Sequence, residues 1–340
     1  MKFKSKKNEA YIIAEVGQNH QGDFELAKKY IRDFAAAGAD AVKFQKRDMD
    51  TLFKPEALSA SYDSENAFGE TYGEHRAALE FTKDQMAELK QECEINNVEF
   101  MCTAFDEVSL EQLIELEVDT IKVASFDMGN IPFLSKVAQS GVKFILSSGG
   151  ARGEIVDKTI EYLIDKGCDF SILHCISRYP CSANDLALGR ISILKERYPN
   201  VEIGLSDHFN GILSGPVGYM KGARLFEKHV TYNRAWKGTD HPFALNIEGF
   251  SKFVRDINRV TNMTSVGLPA GVGEEYVFKK LGKTLHACKE IPAGDPFSEK
   301  NLIGIISKEG IPVRESYALI GEVAHKNYNI NDVISRDELK

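Results

Sequence analysis

Short apolar runs alternate with helix-length amphipathic segments along most of the chain, from about residue 11 to residue 260. In the segment Phe24–Ala37, for example, Leu26, Tyr30 and Phe34 recur at helical spacing. The apolar runs are nearly continuous, as expected for parallel strands covered on both faces. Eight of these runs are predicted strands: Tyr11–Glu15, Ala41–Gln45, Val98–Cys102, Thr120–Ala124, Lys143–Ser147, Phe170–His174, Val201–Leu205 and Arg224–His229.

The alternation of strands and helices predicts an α/β protein with a parallel sheet. The number of strand–helix units distinguishes a closed barrel from an open, doubly wound sheet. A clear helix is predicted at Lys83–Asn96, which opens with a capping box between Thr82 and Gln85. Eight units close a (β/α)8 TIM barrel, whereas a doubly wound sheet commonly has roughly five or six strands. We therefore predict a (β/α)8 barrel.

The end of the chain follows a different pattern. The last barrel helix is predicted at Asn246–Val260, and the barrel domain at residues 1–262. The segment 263–282 is rich in glycine, has no sustained period and is predicted to be a linker. Residues 283–340 contain short β-like runs, Thr284–Cys288 and Leu302–Ile306, separated by turn signals, which predict a small β-rich domain. Because fewer than about 60 residues make a marginal core, we expect this domain to dock on another surface, such as a second subunit.

Composition and charge exclude several classes of protein. With 43% hydrophobic and 27% charged residues, the chain is of ordinary globular type. No apolar run approaches the roughly 20 residues of a membrane span, and the basic N-terminus leads into no signal-peptide core, so we expect a cytoplasmic protein. The net charge of −8 argues against a nucleic-acid partner. The six cysteines form no C-x-x-C pair, which favours free thiols over disulfides or a zinc site.

Polar side chains lie at the carboxyl ends of all eight predicted strands. In barrel enzymes these ends and the loops after them form the active site, whereas the opposite rim is structural. Lys43 and Lys122 are the sharpest signals because they lie in otherwise apolar strands, and lysine is seldom buried without a partner. They indicate anion binding, although pairing with Glu15 or Asp127 would also explain them.

Two histidines lie at the ends of the neighbouring strands seven and eight. His208 and His229 are predicted to hold one divalent ion, with carboxylate, water or substrate oxygens completing its coordination. Glu227 shares the strand face of His229 and could either orient that ligand or act directly in the chemistry. For three more histidines the sequence does not decide between a hydrogen-bonded role in the core and a role in the site: His20, His75 and His174.

Eight sequence blocks carry a resemblance to a known family. In chain order they are IIAEVGQNHQGD (12–23), AGADAVKFQ (37–45), FMCTAFD (100–106), IKVASFD (121–127), ILSSGG (145–150), LHCISRYP (173–180), GLSDH (204–208) and EKHVTYNRAWKGTDH (227–241). With these blocks the chain resembles the sialic acid synthase family, which includes N-acetylneuraminate, legionaminate and pseudaminate synthases and spore-coat polysaccharide proteins. Segments 283–302 and 320–335 resemble the family's antifreeze-like (SAF) domain.

The resemblance implies a metal-dependent transferase that joins phosphoenolpyruvate to an aldose, giving a sialic-acid-like 3-deoxy-ulosonic acid and phosphate. It implies that Mn²⁺ or Mg²⁺ is bound by His208 and His229. With Glu227 added from its strand position, the candidate catalytic carboxylates are Glu15, Asp127, Glu227 and Asp240. The positions expected to bind phosphoenolpyruvate are Lys43, Thr103, Lys122, Ser125, Ser147, Ser177 and Ser206. Contacts to the acceptor sugar fall at Gln45, Tyr179 and Asp240.

Two departures from the family pattern concern the acceptor. Ser177 stands where the family usually has Asn, and residues 306–308 (Ile-Ser-Lys) align with an Arg-Pro-Gly stretch whose Arg recognises an N-acyl group from a neighbouring subunit. Either Lys308 or Arg314 replaces that Arg, or the acceptor is not N-acetylmannosamine, which we favour because Lys and Arg differ in geometry. The loop Thr71–Arg76 could contact a different acceptor, including a phosphorylated sugar, or simply begin a solvated helix.

Two other functions compete with this interpretation. A metal-dependent pyruvate aldolase on the same barrel would also use histidines and a lysine, but it would release no phosphate. A non-catalytic factor for polysaccharide biosynthesis is disfavoured because the histidines, lysines and carboxylates are all present. The resemblance and the thin C-terminal core also predict a domain-swapped homodimer, in which each C-terminal domain covers the partner's barrel mouth.

Overall fold

The computed structural model describes residues 9–264 and 267–339 and divides the chain into two compact units, Met1–Ser265 and Val266–Lys340. In the first unit eight parallel strands pair in chain order, and the eighth pairs with the first, so the sheet closes into a barrel. The predicted (β/α)8 barrel is therefore confirmed. Its strands are β1 (Tyr11–Gly17), β2 (Ala41–Lys46), β3 (Glu99–Ala104), β4 (Thr120–Val123), β5 (Lys143–Ser147), β6 (Phe170–Cys175), β7 (Glu202–Asp207) and β8 (Leu225–His229).

Helices connect the strands and surround the barrel. The longest, Ile247–Met263, extends a little beyond the predicted Asn246–Val260. The helices of the first unit are α1 (Phe24–Ala36), α2 (Met49–Leu52), α3 (Pro55–Leu58), α4 (Tyr72–Ala77), α5 (Lys83–Ile95), α6 (Glu107–Glu115), α7 (Ile131–Ser140), α8 (Gly153–Asp165), α9 (Gly189–Arg197), α10 (Ser214–Met220) and α11 (Ile247–Met263).

Local sequence explains where these helices begin and which face they bury. At the start of α1 the Asp23 carboxylate accepts a hydrogen bond from the backbone N–H of Leu26. The predicted capping box of Thr82 is present at the start of α5. Tyr30 and Phe34 on α1 are fully buried, and they belong to the apolar layer between the strands and the surrounding helices. This layer fixes the strands, and therefore the residues at their ends.

The barrel interior has an apolar floor of its own. Side chains of a strand alternate between its two faces, so every second residue points inward. The floor consists of inward residues from six strands, all nearly inaccessible to solvent: Tyr11, Ile13, Ala41, Met101, Ile145, Leu173 and Leu225. A packed floor excludes an open pore and leaves only the far mouth of the barrel for a ligand.

The second unit contains a two-stranded antiparallel sheet of β9 (Lys283–Ala287) and β10 (Leu302–Ile306) and two short helices, α12 (Tyr276–Leu281) and α13 (Ser316–Leu319). A small core of its own forms around this sheet and includes Ile291, Phe297, Ile311 and Tyr328. Both strands lie within one residue of the predicted runs. The assignment of this unit as an antifreeze-like (SAF) domain rests on the sequence resemblance and stays a prediction.

The segment 263–282, predicted to be a linker without a sustained period, contains regular structure. Helix α11 extends to Met263, the run Tyr276–Leu281 forms helix α12, and the boundary between the two units falls between residues 265 and 266. The run Tyr276–Leu281 holds no glycine or proline and includes the good helix formers Lys279, Lys280 and Leu281. The glycines that gave the segment its linker-like composition lie outside this helix, with Gly282 directly after its last residue.

Two expectations about the whole chain can be compared with the structure. Among the residues that it describes, no helix is long and apolar enough to cross a membrane. All six cysteines fall within the described ranges and are free thiols, as the absence of a paired motif predicted. Four of them are buried, namely Cys93, Cys102, Cys175 and Cys181.

Candidate active site

The two-residue period of the strands places polar side chains directly above the apolar floor. Two positions beyond the floor residues, the inward side chains change from apolar to ionisable or hydroxyl-bearing. This layer contains Glu15, Lys43, Thr103, Lys122, Ser147, Ser206 and Glu227. One layer further out come Gln45, His208 and His229. The sequence therefore builds the site as successive tiers of one barrel mouth.

These tiers surround a cavity of about 330 Å³. The volume is near the lower end of the roughly 300–1,000 Å³ that is usual for small-molecule sites. Of the predicted site residues, all but Asp127 and Ser177 line it: Glu15, Lys43, Gln45, Thr103, Lys122, Ser125, Ser147, Tyr179, Ser206, His208, Glu227, His229 and Asp240. The predicted convergence on one mouth of the barrel is thus present in the structure.

Four buried charges form the innermost part of the site, which we call the inner quartet: Glu15, Lys43, Lys122 and Glu227. The Lys43 ammonium lies 2.7 Å from a Glu15 oxygen and 3.7 Å from Glu227. Lys122 lies 3.3 Å from Glu227. The alternative of lysine–carboxylate pairing is therefore realised, but the partner of Lys122 is Glu227 rather than Asp127. Two cations and two anions balance each other in this cluster.

The two carboxylates of the inner quartet have opposite proton affinities. Burial, which outweighs the attraction of Lys43, raises the pKa of Glu15 to about 7. Burial also disfavours the Glu227 anion, but Lys122 and Lys43 outweigh it and lower the pKa of Glu227 to about 2. Glu227 is therefore a permanent anion near neutral pH, whereas Glu15 can take up and release a proton. A pair of carboxyl groups whose pKa values are driven apart in this way is typical of acid–base chemistry.

Two imidazoles face each other across the mouth of the cavity, with ring centroids 5.5 Å apart. His208 Nδ1 lies 3.0 Å from the backbone oxygen of Ile176, which leaves Nε2 for a ligand. His229 Nδ1 is buried without a hydrogen-bond partner and lies 3.7 Å from a carboxylate oxygen of Asp240. Burial lowers the pKa of both histidines, in the case of His208 to about 4, so both are neutral and able to bind a metal.

These two histidines fit a divalent ion, and the unsatisfied His229 nitrogen supports that fit. Within residues 9–264 and 267–339, however, no group of three or more His, Cys, Asp or Glu side chains is arranged to hold a metal. An ion bound here would need further ligand atoms, for which the sequence predicted carboxylate, water or substrate oxygens, and the metal itself stays a prediction. Phe243 packs at the edge of both imidazole rings and holds them in place.

Hydroxyl groups supply hydrogen-bonding capacity around the inner quartet. Thr103 accepts a hydrogen bond from the Lys43 ammonium at 2.9 Å, and Ser206 donates to Glu227 at 3.0 Å. The buried hydroxyl of Ser147 has no partner. An orphaned hydroxyl in the same cavity as two ammonium groups is a ready donor for an anionic ligand, because an unsatisfied buried polar group costs free energy.

The structure does not place Asp127 and Ser177 in the cavity wall. Asp127 ends a short 3-10 segment after β4, where its carboxylate accepts a hydrogen bond from Asn130, so its predicted catalytic role has no support. Ser177 lies behind the wall, with its hydroxyl 3.1 Å from that of Ser125, so it can position Ser125. Both residues lie in turns after a strand, where the two-residue period no longer fixes the direction of a side chain, and their predicted roles stay predictions.

The three histidines whose role the sequence left undecided fall into two groups. His20 stacks on Phe81 and His174 bonds to a backbone oxygen, so both are core residues. His75 lines the cavity. It lies on α4, which begins with a capping box of Thr71 and Glu74, so the loop 71–76 is both a helix start and part of the site.

Sequence reasoning missed most of the outer wall of the cavity. The missed residues include Gln18, Arg47, Tyr62, Phe68, Phe105 and Thr239, while Arg76 was named only as one possibility. Arg47 follows the end of β2 by one residue, so extending the search just past each strand would have found it. The residues contributed by the long β2–α5 connection carry no periodic signal.

Comparison with known proteins identifies the family of the chain. The sequence profile of the NeuB family matches residues 30–268, which is more than half of the chain. The chain belongs to the NeuB family. It is 40% identical to the N-acetylneuraminate-9-phosphate synthase of Drosophila melanogaster over 272 residues, which are 80% of this chain and 72% of that protein. It is 31% identical to the N,N'-diacetyllegionaminic acid synthase of Campylobacter jejuni, covering 95% of this chain and 98% of that one.

A solved structure gives the same assignment. The sialic acid synthetase of Leptospira borgpetersenii, in complex with citrate, superposes with a TM-score of 0.70 at 30% identity, covering 82% of this chain and 95% of that one. The resemblance to sialic acid synthases is therefore confirmed at the level of the family. This NeuB-family chain is an enzyme of the sialic acid synthase type.

Proposed function

We propose that this enzyme condenses phosphoenolpyruvate with an aldose to give a sialic-acid-like 3-deoxy-ulosonic acid and inorganic phosphate. The observation that carries the proposal is the convergence of Lys43 and Lys122 with His208 and His229 in one cavity. In this reaction carbon three of phosphoenolpyruvate bonds to the aldehyde carbon of the acceptor. The oxygen of water bonds to carbon two, and phosphate leaves from carbon two with its bridging oxygen.

The inner quartet suits phosphoenolpyruvate, which carries a carboxylate and a phosphate. Lys43 and Lys122 offset these charges where water is scarce, and such contacts are stronger there than in bulk water. The orphaned Ser147 hydroxyl and the hydroxyls of Thr103 and Ser206 are available as further partners. Permanently ionised Glu227 keeps the lysines charged and fixed in position when no ligand is bound.

Glu15 is the residue proposed to handle the proton of the attacking water. Its pKa of about 7 lets both protonation states coexist at neutral pH, which is optimal for a general base. Gln45 donates a hydrogen bond to Glu15 at 2.8 Å and orients its carboxylate. Tyr179 and Asp240 line the cavity beside the histidines and are proposed to contact the acceptor.

A divalent ion, Mn²⁺ or Mg²⁺, is proposed to be held by His208 and His229, with Asp240 beside them. When bound, it would supply Lewis-acid polarisation of the acceptor's aldehyde oxygen. The chain's own contribution is to keep both imidazoles neutral and to hold them against Phe243.

Phosphate release tests the proposal. The protein would be incubated with phosphoenolpyruvate, Mn²⁺ or Mg²⁺ and a panel of hexosamines, hexoses and their 6-phosphates, and phosphate would be measured over time. We expect release that depends on both the acceptor and the metal. A pyruvate aldolase would join pyruvate to the acceptor without releasing phosphate, and a non-catalytic factor would do neither. Either of those results would reject the proposal.

A further inference from the structure

The outer part of the cavity has a surplus of positive charge. Arg47 and Arg76 both line it. Arg47 is bonded to the Glu80 carboxylate, at 3.2 Å, and to Gln45. The guanidinium of Arg76 is bonded only to the neutral Gln18 side-chain oxygen and the Tyr72 hydroxyl, each at 2.8 Å. Among the residues that the structure describes, no carboxylate lies within ion-pair distance of Arg76.

The carboxylate that pairs with Arg47 is already shared with another cation. Glu80 lies within ion-pair distance of both Arg47 and Lys46. The positive charge of Arg76 also acts on its neighbours. After burial, it is the main cause that lowers the pKa of His75. It also lowers the pKa of Arg47, which Glu80 raises. A second cation, Lys237, lowers the pKa of His75 in the same direction. Arg47 and Lys46 therefore share Glu80, and Arg76 adds a positive charge that this carboxylate does not pair.

Structural stability does not require this arrangement. Two guanidinium groups in one half-buried cavity repel each other, and an isolated charge gains little from neutral hydrogen-bond partners. Gln18 adds an unsatisfied hydrogen-bond donor to these positive charges, because its amide nitrogen is buried and has no hydrogen-bond partner. Gln18 itself lines the cavity. An unused amide donor on the residue that holds the Arg76 guanidinium, in a cavity that Arg47 also lines, suits an oxygen-rich anion, which accepts several hydrogen bonds at once.

The position of this surplus separates it from the inner quartet. Gln45 stands between them, since its amide nitrogen donates to Glu15 and its oxygen accepts from Arg47 at 2.7 Å. The lysines of the inner quartet are already paired with carboxyl groups and assigned to phosphoenolpyruvate. The outer cations therefore face the other substrate, at the end remote from its reacting aldehyde.

We propose that Arg76 and Arg47, together with the Gln18 amide, bind a phosphate monoester at the far end of the acceptor sugar. This inference rests on the proposed function and narrows its acceptor to an aldose phosphate. Condensation adds three carbons, so a phosphate on carbon six of a hexosamine becomes a phosphate on carbon nine of the product. The relatives' names include both phosphorylated and unphosphorylated products, so they do not make this choice themselves.

Binding can be measured separately from turnover. The free hexosamines and hexoses of the panel above and their 6-phosphates would be titrated calorimetrically, as matched pairs, into wild-type protein and into Arg76→Gln, which keeps bulk and polarity but removes the charge. We expect wild-type protein to bind the phosphate ester at least about tenfold more tightly than the free sugar. Loss of charge-assisted hydrogen bonds in Arg76→Gln should weaken ester binding by about 10- to 100-fold and leave the free sugar unaffected. Arg76→Lys should fall between the two.

The matched control is Arg32→Gln, which removes an exposed arginine that pairs with Glu92 on the outside of the barrel and should change neither affinity. Equal wild-type affinity for the ester and the free sugar would overturn the inference, whatever the variants do. So would an equal loss for both ligands in Arg76→Gln. Tight ester binding without phosphate release from phosphoenolpyruvate would instead reject the proposed function and keep the anion subsite.

Discussion

Removing Lys122 separates the two interpretations of the buried lysines, structural pairing and substrate binding. Its ammonium lies 3.3 Å from Glu227, and both side chains are almost inaccessible to solvent. At an effective dielectric constant of about 20, their attraction is roughly 5 kcal/mol. Lys122→Met leaves Glu227 with only the Lys43 ammonium, 3.7 Å away and closer to Glu15. We expect the free energy of unfolding to fall by about 3–5 kcal/mol, as for other broken buried pairs.

A double variant then tests function independently of stability. Lys122→Met combined with Glu227→Gln removes both charges while keeping similar volumes, and the oxygen of the introduced amide could still accept a hydrogen bond from Ser206. We expect most of the lost stability to return, because exchanging a whole buried pair for neutral groups is often close to neutral. The kcat/KM for phosphoenolpyruvate should stay at least about 10- to 100-fold below wild type, because a substrate-binding cation is still missing.

The measurements are urea unfolding followed by circular dichroism and phosphate release at varied phosphoenolpyruvate concentrations. The exposed pair of Lys158 and Glu154 on α8, 2.7 Å apart, provides a matched control, and its double neutralisation should change stability by less than about 1 kcal/mol. If the Lys122 and Glu227 double variant regained phosphoenolpyruvate turnover together with stability, Lys122 would be purely structural and the assignment to substrate binding would be wrong.

Three further outcomes are expected. His208→Ala and His229→Ala should each abolish phosphate release while unfolding like wild type by circular dichroism, and full turnover in chelator-treated protein would reject the metal role. Because burial raises the pKa of Glu15 to about 7, its basic form increases as pH rises through 7, so kcat/KM should rise across that range; an unchanged rise in Glu15→Gln would exclude it as the base. Light scattering should give a homodimer, and a chain ending before Thr284 that is monomeric and fully active would remove the proposed role of the C-terminal domain.

The barrel and its inner tiers could be predicted because one rule generates both. A period of two along an apolar strand fixes which residues point inward, so polar exceptions such as Lys43 and Lys122 identify the site. The rule ends where the strand ends, so it does not determine whether Asp127 and Ser177, which lie in turns, reach the cavity. The outer wall built by Arg76 comes from a long connection whose path depends on tertiary contacts. Helix α12 was missed because the glycines around it dominated the local composition.

The division of the cavity into tiers has a consequence for how this scaffold can change. The groups assigned to phosphoenolpyruvate are carried by barrel strands, whose spacing is fixed by the packed floor beneath them. The outer cations come from the chain between β2 and α5, which contributes no strand to the barrel. The proposed preference for a phosphorylated acceptor can therefore change with the sequence of that connection, while the half of the reaction that is common to every acceptor keeps its geometry.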